Sequence, residues 1–219
     1  MHKDTGAVAN IIKNTLILTL ITLVAAILLG YVYDITKAPI AQAEAEAKAE
    51  AYKSVYPEAV GIKEMADSTE LSDAVAKSAD ILSAEGFTAV VIDEACLVLD
   101  GSSNIIGYII TVTDKNAYDG SLQMTFGYTV DGMVTAMEFL SITETSGLGL
   151  EADKPEFKEK FAGKYVDTFT VTKSGSTSDS EIDALSGATV TTNAVVEGIN
   201  GGIVFAKYLI DNAVGGGTQ

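Results

Sequence analysis

The chain has 219 residues, room for one domain of ordinary size plus an appendage. Its 30 acidic and 14 basic residues leave a net charge of −16, which repels phosphate backbones and argues against nucleic acid as a partner. Cys96 is the single cysteine and His2 the single histidine, which excludes a disulfide framework, a thiolate cluster, a zinc site and a Ser–His–Asp triad in the globular part, so any chemistry has to come from a bound cofactor.

Residues 1–13 form a short N-terminal segment, expected in the cytoplasm. Asn14 to Tyr33 then runs for twenty residues without a charge, and a helix of that length spans roughly 30 Å, a bilayer core. Eleven of the twenty are Leu, Ile or Val, which favour insertion by roughly 3–7 kcal/mol in total. Tyr31 and Tyr33 stand at its far end, where interfacial aromatics belong. A cleaved signal peptide is the competing reading, with Ala41-Gln42-Ala43 as its cleavage site, but this apolar stretch is longer than the usual h-region of about 7–15 residues. The expectation is one uncleaved transmembrane helix over 14–33 in the cell (inner) membrane. Lys3 and Lys13 before the span place the N-terminus inside and the following domain outside the cytoplasm.

Residues 34–57 read as a juxtamembrane helix. Ala41 to Tyr52 alternates alanine with Gln, Glu and Lys, all good helix formers, and Pro57 closes it. The extracytoplasmic domain is expected over 58–211. Its first stretch, Glu58 to Gly86, predicts one amphipathic helix carrying Leu71, Val75 and Leu82. Phe87–Leu99 and Ile105–Thr113 are strands flanking a turn-rich loop, and Cys96 within the first reads as a small core residue. Leu122–Val130 and Met133–Ile142 flank Asp131-Gly132, a strong hairpin signal. These strands follow one another without helical crossovers, so the fold class is α+β: an antiparallel β-meander packed with helices behind one transmembrane helix.

After the last strand comes Glu144-Thr145-Ser146-Gly147-Leu148-Gly149. Its glycines allow close backbone approach to a flat ring, Leu148 offers apolar surface and Thr145 a hydrogen bond. It lacks the spacing of a dinucleotide fingerprint and the lysine of a P-loop, and also reads as a plain connection. Glu156–Phe161 predicts a short helix opened by Pro155, and Thr168–Ser180 a loop.

Asp183-Ala184-Leu185-Ser186-Gly187-Ala188-Thr189 precedes a final helix marked by Val195, Val196, Ile199, Ile203, Ala206, Leu209 and Ile210, ending near Asp211. Residues 212–219 read as a disordered tail. Ser186, Gly187 and Ala188 present the Thr189 hydroxyl on a turn without bulk beside it, and Gly187 opens backbone angles closed to other residues. A phosphate on Thr189 would lie near unpaired amides and the positive end of the helix dipole. Thr191 and Thr192 read either as helix caps or as donors to phosphate oxygens. Taken alone, the stretch also reads as a turn before a helix.

In that order, the span, the meander ending in Glu144-Thr145-x-Gly147-Leu148-Gly149, and Asp183-x-x-Ser186-Gly187-Ala188-Thr189 resemble the G subunit of the Rnf electron transport complex. The C subunit of the sodium-translocating NADH:quinone reductase shares the same FMN-binding domain. Tyr118-Asp119-Gly120 and Phe157–Gly163 also look like the family pattern, while Ser146 departs from the proline of many members. The resemblance implies FMN held covalently by a phosphoester to Thr189, installed by a flavin transferase that uses FAD and a divalent metal, with Asp183 part of the modification motif. It implies that Ser186, Gly187, Ala188, Thr191, Thr192, Glu144, Thr145, Leu148 and Gly149 contact the cofactor, and that no residue catalyses a reaction of its own. The expected function is electron relay within an ion-translocating ferredoxin:NAD⁺ oxidoreductase, with the other membrane subunits and membrane lipid as partners. The alternatives are a component of the quinone reductase, a stand-alone anchored flavoprotein, or a non-redox ectodomain.

Overall fold

A computed structural model describes residues 4–214. The first element, α1 (Asp4–Val55), is one helix that contains the uncharged stretch and Pro39. It is the one helix among the described residues long and apolar enough to cross a membrane, and Leu16, Ile21, Ile27 and Leu29 stand exposed along it. Two compact units divide the chain at residues 47 and 48.

The second unit is built on a six-stranded antiparallel meander in chain order: β1 (Gly61–Lys63), β2 (Val90–Leu99), β3 (Ile105–Ala117), β4 (Gly120–Thr129), β5 (Met133–Ser141) and β6 (Lys164–Tyr165). The expected fold class is therefore the observed one. Where one helix was expected over 58–86, two short ones stand, α2 (Thr69–Ala76) and α3 (Ser78–Ala84), meeting at Lys77. Ser68 caps the first by accepting the Leu71 amide at 3.4 Å. The short helix opened by Pro155 is α4 (Pro155–Lys158). The expected loop over 168–180 contains β7 (Thr170–Thr172), paired in parallel with β8 (Glu181–Asp183). Three-residue strands are too short to show any alternation, which is why they read as loop.

Both faces of the meander are covered. Residues Tyr108 to Val112 are all buried, so β3 reads as a continuous apolar run rather than an alternating one. On one side lie Val90, Ile92, Leu97, Ile110, Val112, Met124 and Phe126, facing α5 (Thr189–Asp211). A bulge between Ile92 and Glu94 adds one residue, so Ala95 and Leu97 return to the same face as Val90 and Ile92. On the other side Cys96, Val98 and Ile109 pack with Tyr52 and Val55 from the end of α1 and with Tyr56 just after it.

Helix α5 approaches the sheet closely because its inward face carries glycine. A Cβ at Gly202 would stand 2.6 Å from Phe126 Cζ, and one at Gly201 would stand 2.9 Å from Val90 Cγ1. Asn200 lies on the same helix, buried, with both amide functions used: Oδ1 accepts the Phe169 amide at 2.7 Å and Nδ2 donates to the Phe169 carbonyl at 2.9 Å. Phe169 in turn packs edge-to-face on Phe161, with ring centroids 5.1 Å apart. Residues 212–214, expected within a disordered tail, are held instead: the Asn212 amide donates to the Tyr208 carbonyl and Tyr108 Oη donates to the Val214 carbonyl at 3.1 Å. The remaining tail, 215–219, lies outside the described residues.

Candidate functional site

The start of α5 is fixed by one hydroxyl. Thr192 Oγ1 donates to the Ala188 carbonyl at 3.0 Å and accepts the Leu185 amide at 3.1 Å, while the Ala188 amide donates to the Leu185 carbonyl at 3.0 Å. These bonds close the turn 185–188. Gly187 takes φ +77°, the left-handed region that glycine enters without steric penalty. No side chain caps the helix N-terminus, and Thr189 is its first residue rather than the residue before it. The Thr189 side chain is half-buried, and the amides of this first turn have no intrahelical acceptor.

Asp183 ends β8 and supports this turn from behind. Its carboxylate accepts from Ser176 Oγ at 3.1 Å, and its carbonyl accepts from Lys160 Nζ at 3.3 Å. The adjacent Ala184 amide donates to the Thr172 carbonyl at 2.8 Å, continuing the β7–β8 pairing up to the turn.

The loop after β5 meets the turn from the other side. The Leu148 and Leu150 amides both donate to the Thr145 carbonyl at 3.2 Å, and Gly147 takes φ +76°. This folds the loop so that Leu148 Cδ2 lies 3.0 Å from where a Cβ on Gly187 would stand. Glu144 is turned inward and only 7% exposed. Its Oε1 accepts the Tyr118 amide at 2.9 Å, tying the β3–β4 turn to this loop, whereas its buried Oε2 has no hydrogen-bond partner.

Between the two loops lies a cavity of about 460 Å³, within the range of small-ligand sites. Glu144, Thr145, Leu148, Gly149, Gly187, Ala188, Thr189 and Thr191 line it, so two motifs well separated in sequence share one wall. Ser186 and Asp183 do not line it, and neither does Thr192, whose hydroxyl is committed to the backbone of the turn. Thr192 is therefore not the helix cap that one reading made it: it lies inside the first turn and bonds the backbone before the helix. Tyr118 and Val190 also line the cavity, although the sequence motifs did not point to them as contacts. Tyr118 is 72% exposed at the tip of a hairpin, and an exposed aromatic beside Asp-Gly was the available signal.

FMN needs an anion site for its phosphate, apolar surface for its ring and an acceptor for its donor groups. The helix N-terminus at Thr189, the Leu148 and Val190 side chains, and the unpartnered Glu144 Oε2 meet these needs in turn. Gly149 makes the space: a Cβ there would stand 2.5 Å from Glu144 Oε2 and 2.8 Å from Thr191 Oγ1.

Comparison with known proteins covers both the helix and the domain. Residues 117–204 match the FMN-binding domain family, and residues 1–55 match the RnfG N-terminal region. The chain is 31% identical over 196 residues to the G subunit of the ion-translocating oxidoreductase complex of Cereibacter sphaeroides, covering 86% of this chain and 80% of that protein. It is 29% identical over 198 residues to the protein of the same name from Methanosarcina acetivorans, covering 90% and 95%. With the G subunit of the Na⁺-translocating ferredoxin:NAD⁺ oxidoreductase complex of Acetobacterium woodii it shares 28% over 195 residues, covering 87% and 88%.

Proposed function

This chain belongs to the RnfG family, the G subunits of ion-translocating oxidoreductase (Rnf) complexes, and from that premise we propose that it is the membrane-anchored electron relay of such a complex, with FMN joined by a phosphoester to Thr189. The observation that carries the reading is the meeting of Thr189 with Glu144, Leu148 and Gly149 around one cavity. Bound there, FMN would supply the electron-accepting and electron-donating chemistry. The residues of the chain bind and orient it. The first turn of α5 directs unpaired amides at the phosphate, and Leu148 and Val190 give the ring apolar surface.

The transferase reaction requires the Thr189 hydroxyl to attack the FMN phosphorus of FAD, releasing AMP and losing its proton. A half-buried hydroxyl on an open turn is accessible to such an enzyme, and Gly187 keeps its approach clear. The ferredoxin and NAD⁺ partners follow the name of the Acetobacterium woodii relative. The match of residues 1–55 to the RnfG N-terminal region favours this complex over the quinone reductase. We place the N-terminus in the cytoplasm and the domain outside it, where a tether keeps the cofactor's effective concentration independent of the medium.

The test is co-expression of the full chain with a flavin transferase, followed by denaturing electrophoresis. Wild type should give a fluorescent band and a mass gain of FMN less water on the peptide containing Thr189. Thr189→Ala should give neither. Fluorescence in the alanine variant would overturn the assignment.

A further inference from the structure

The tip of the β3–β4 hairpin, residues 115–120, reaches the cavity on a few bonds at its edges. The Lys115 amide donates to the Ala89 carbonyl at 3.2 Å, Asn116 Nδ2 to Glu197 Oε2 on α5 at 3.2 Å, and the Tyr118 amide to Glu144 Oε1 at 2.9 Å. Tyr118 thereby joins the cavity wall while most of its surface stays in solvent. Below the tip the ladder slips: Asp114 faces Leu122, but the next pair is Ala117 with Gly120. Such a bulge bends the strand and interrupts its ladder, which makes a hinge.

Asp114 stands at that hinge, fully buried. Its Oδ1 accepts the Asn116 amide at 2.7 Å, which shapes the bulge, and its Oδ2 has no hydrogen-bond partner among the described residues. From α5 come the charge of Glu197 and the bare backbone of Gly198, where a Cβ would stand 3.6 Å from Asp114 Cβ. The neighbouring strands bring the uncharged Val90 and Leu122 at the paired positions, and Lys115, next along β3, is exposed. A dry carboxylate with an idle oxygen is costly when ionised and far less so when protonated.

We propose that residues 115–120 form a lid at the mouth of the cavity, hinged at the bulge, which a protonated Asp114 leaves closed and an ionised Asp114 loosens. Lifting the tip lets water reach the carboxylate, so the open form is the one that tolerates the charge. Burial raises the Asp114 carboxyl from 3.8 to about 6, opposed by the Asn116 amide and reinforced by Glu197. The raised group stabilises the closed form while protonated, and that contribution is lost as pH climbs from about 4 through about 6. Raised that far, it multiplies the open-to-closed ratio by up to roughly 100 across the window. Access to the cavity widens toward neutral pH whatever ligand the cavity takes, so the lid does not depend on Thr189 bearing FMN.

The experiment is amide hydrogen exchange on the full chain in detergent micelles, without flavin, at about pH 4.5 and about pH 7.5, corrected for intrinsic exchange. In wild type, protection over 115–120 should be lower than over 109–112 and should fall by about tenfold or more at the higher pH. Asp114→Asn should hold its protection constant between the two, and Glu197→Gln should carry the wild-type transition to lower pH. A wild-type tip whose protection ignores pH overturns the lid. So does a tip protected as well as 109–112, since it would then open only with the whole domain. An Asp114→Asn tip that keeps the wild-type pH dependence overturns the assignment to Asp114. None of these outcomes touches the flavin reading, which stands or falls on the fluorescent band.

Discussion

Thr192 and Leu185 are joined by a single hydrogen bond, amide to hydroxyl at 3.1 Å, which fastens the acceptor turn to the helix that follows it. The same hydroxyl donates to the Ala188 carbonyl, so one side chain sets the conformation of four residues upstream.

Thr192→Val should therefore weaken the domain and its modification together. Valine has nearly the same shape but leaves the Leu185 amide without its acceptor, a loss of about 1–3 kcal/mol. Urea denaturation should show that drop, and flavin incorporation under limiting transferase should slow. Thr192→Ser should restore both, since the hydroxyl carries the effect.

Gly187→Val should block flavin attachment more than it destabilises the fold. The site requires φ +77°, and a Cβ would meet Leu148 Cδ2 at 3.0 Å. A β-branched residue is strained in that region, by about 1–3 kcal/mol. The readout is the ratio of fluorescent to total protein, with circular dichroism reporting that the domain remains folded.

Asp114 gives a pH dependence of stability with an unusual sign. It lies toward the end of β3 behind α5, fully buried. Burial pushes its carboxyl up from 3.8 to about 6, opposed by the Asn116 amide on Oδ1 and reinforced by the charge of Glu197. A carboxyl raised in the folded state contributes stability while protonated and loses that contribution as pH climbs from about 4 through about 6. Asp114→Asn should match wild type below that window and exceed it by about 3 kcal/mol above it. Thermal melts across the range check this, and equal stability of the two proteins at neutral pH would refute it.

Cys96 should be inert in the folded protein. It is 0% exposed within the cluster of Tyr52, Val98 and Ile109, and burial beside the Glu94 carboxylate pushes its thiol up to about 12. Thiol labelling at pH 8 should be absent until denaturant is added, then reach one equivalent per chain.

The meander and both cavity-forming loops were readable because their signals are local. Asp131-Gly132 marks a hairpin, and the apolar spacing from Val195 to Ile210 marks a helix. The short elements were not readable, since β7 and β8 owe their pairing to Thr172 and Asp183 meeting in space rather than to any period. Nor could sequence show which of Thr191 and Thr192 faces the cavity. Adjacent helix positions are rotated by about 100°, and only the helix start at Thr189 decides which one turns inward. Tyr118-Asp119-Gly120 was legible as a motif, but its place in the cavity wall was not, because that depends on the Tyr118 amide bonding Glu144, a contact between residues 26 apart.

The last eight residues of α1, from Lys48 to Val55, carry a practical implication for anyone who wants the domain without its anchor. Severed at Glu58, the protein would leave Cys96, Val98 and Ile109 bare to water and sacrifice the ion pair between Lys48 and Glu94. Such a fragment should aggregate, whereas one beginning at Lys48 should stay soluble and take up flavin. The scissors belong upstream of that lysine.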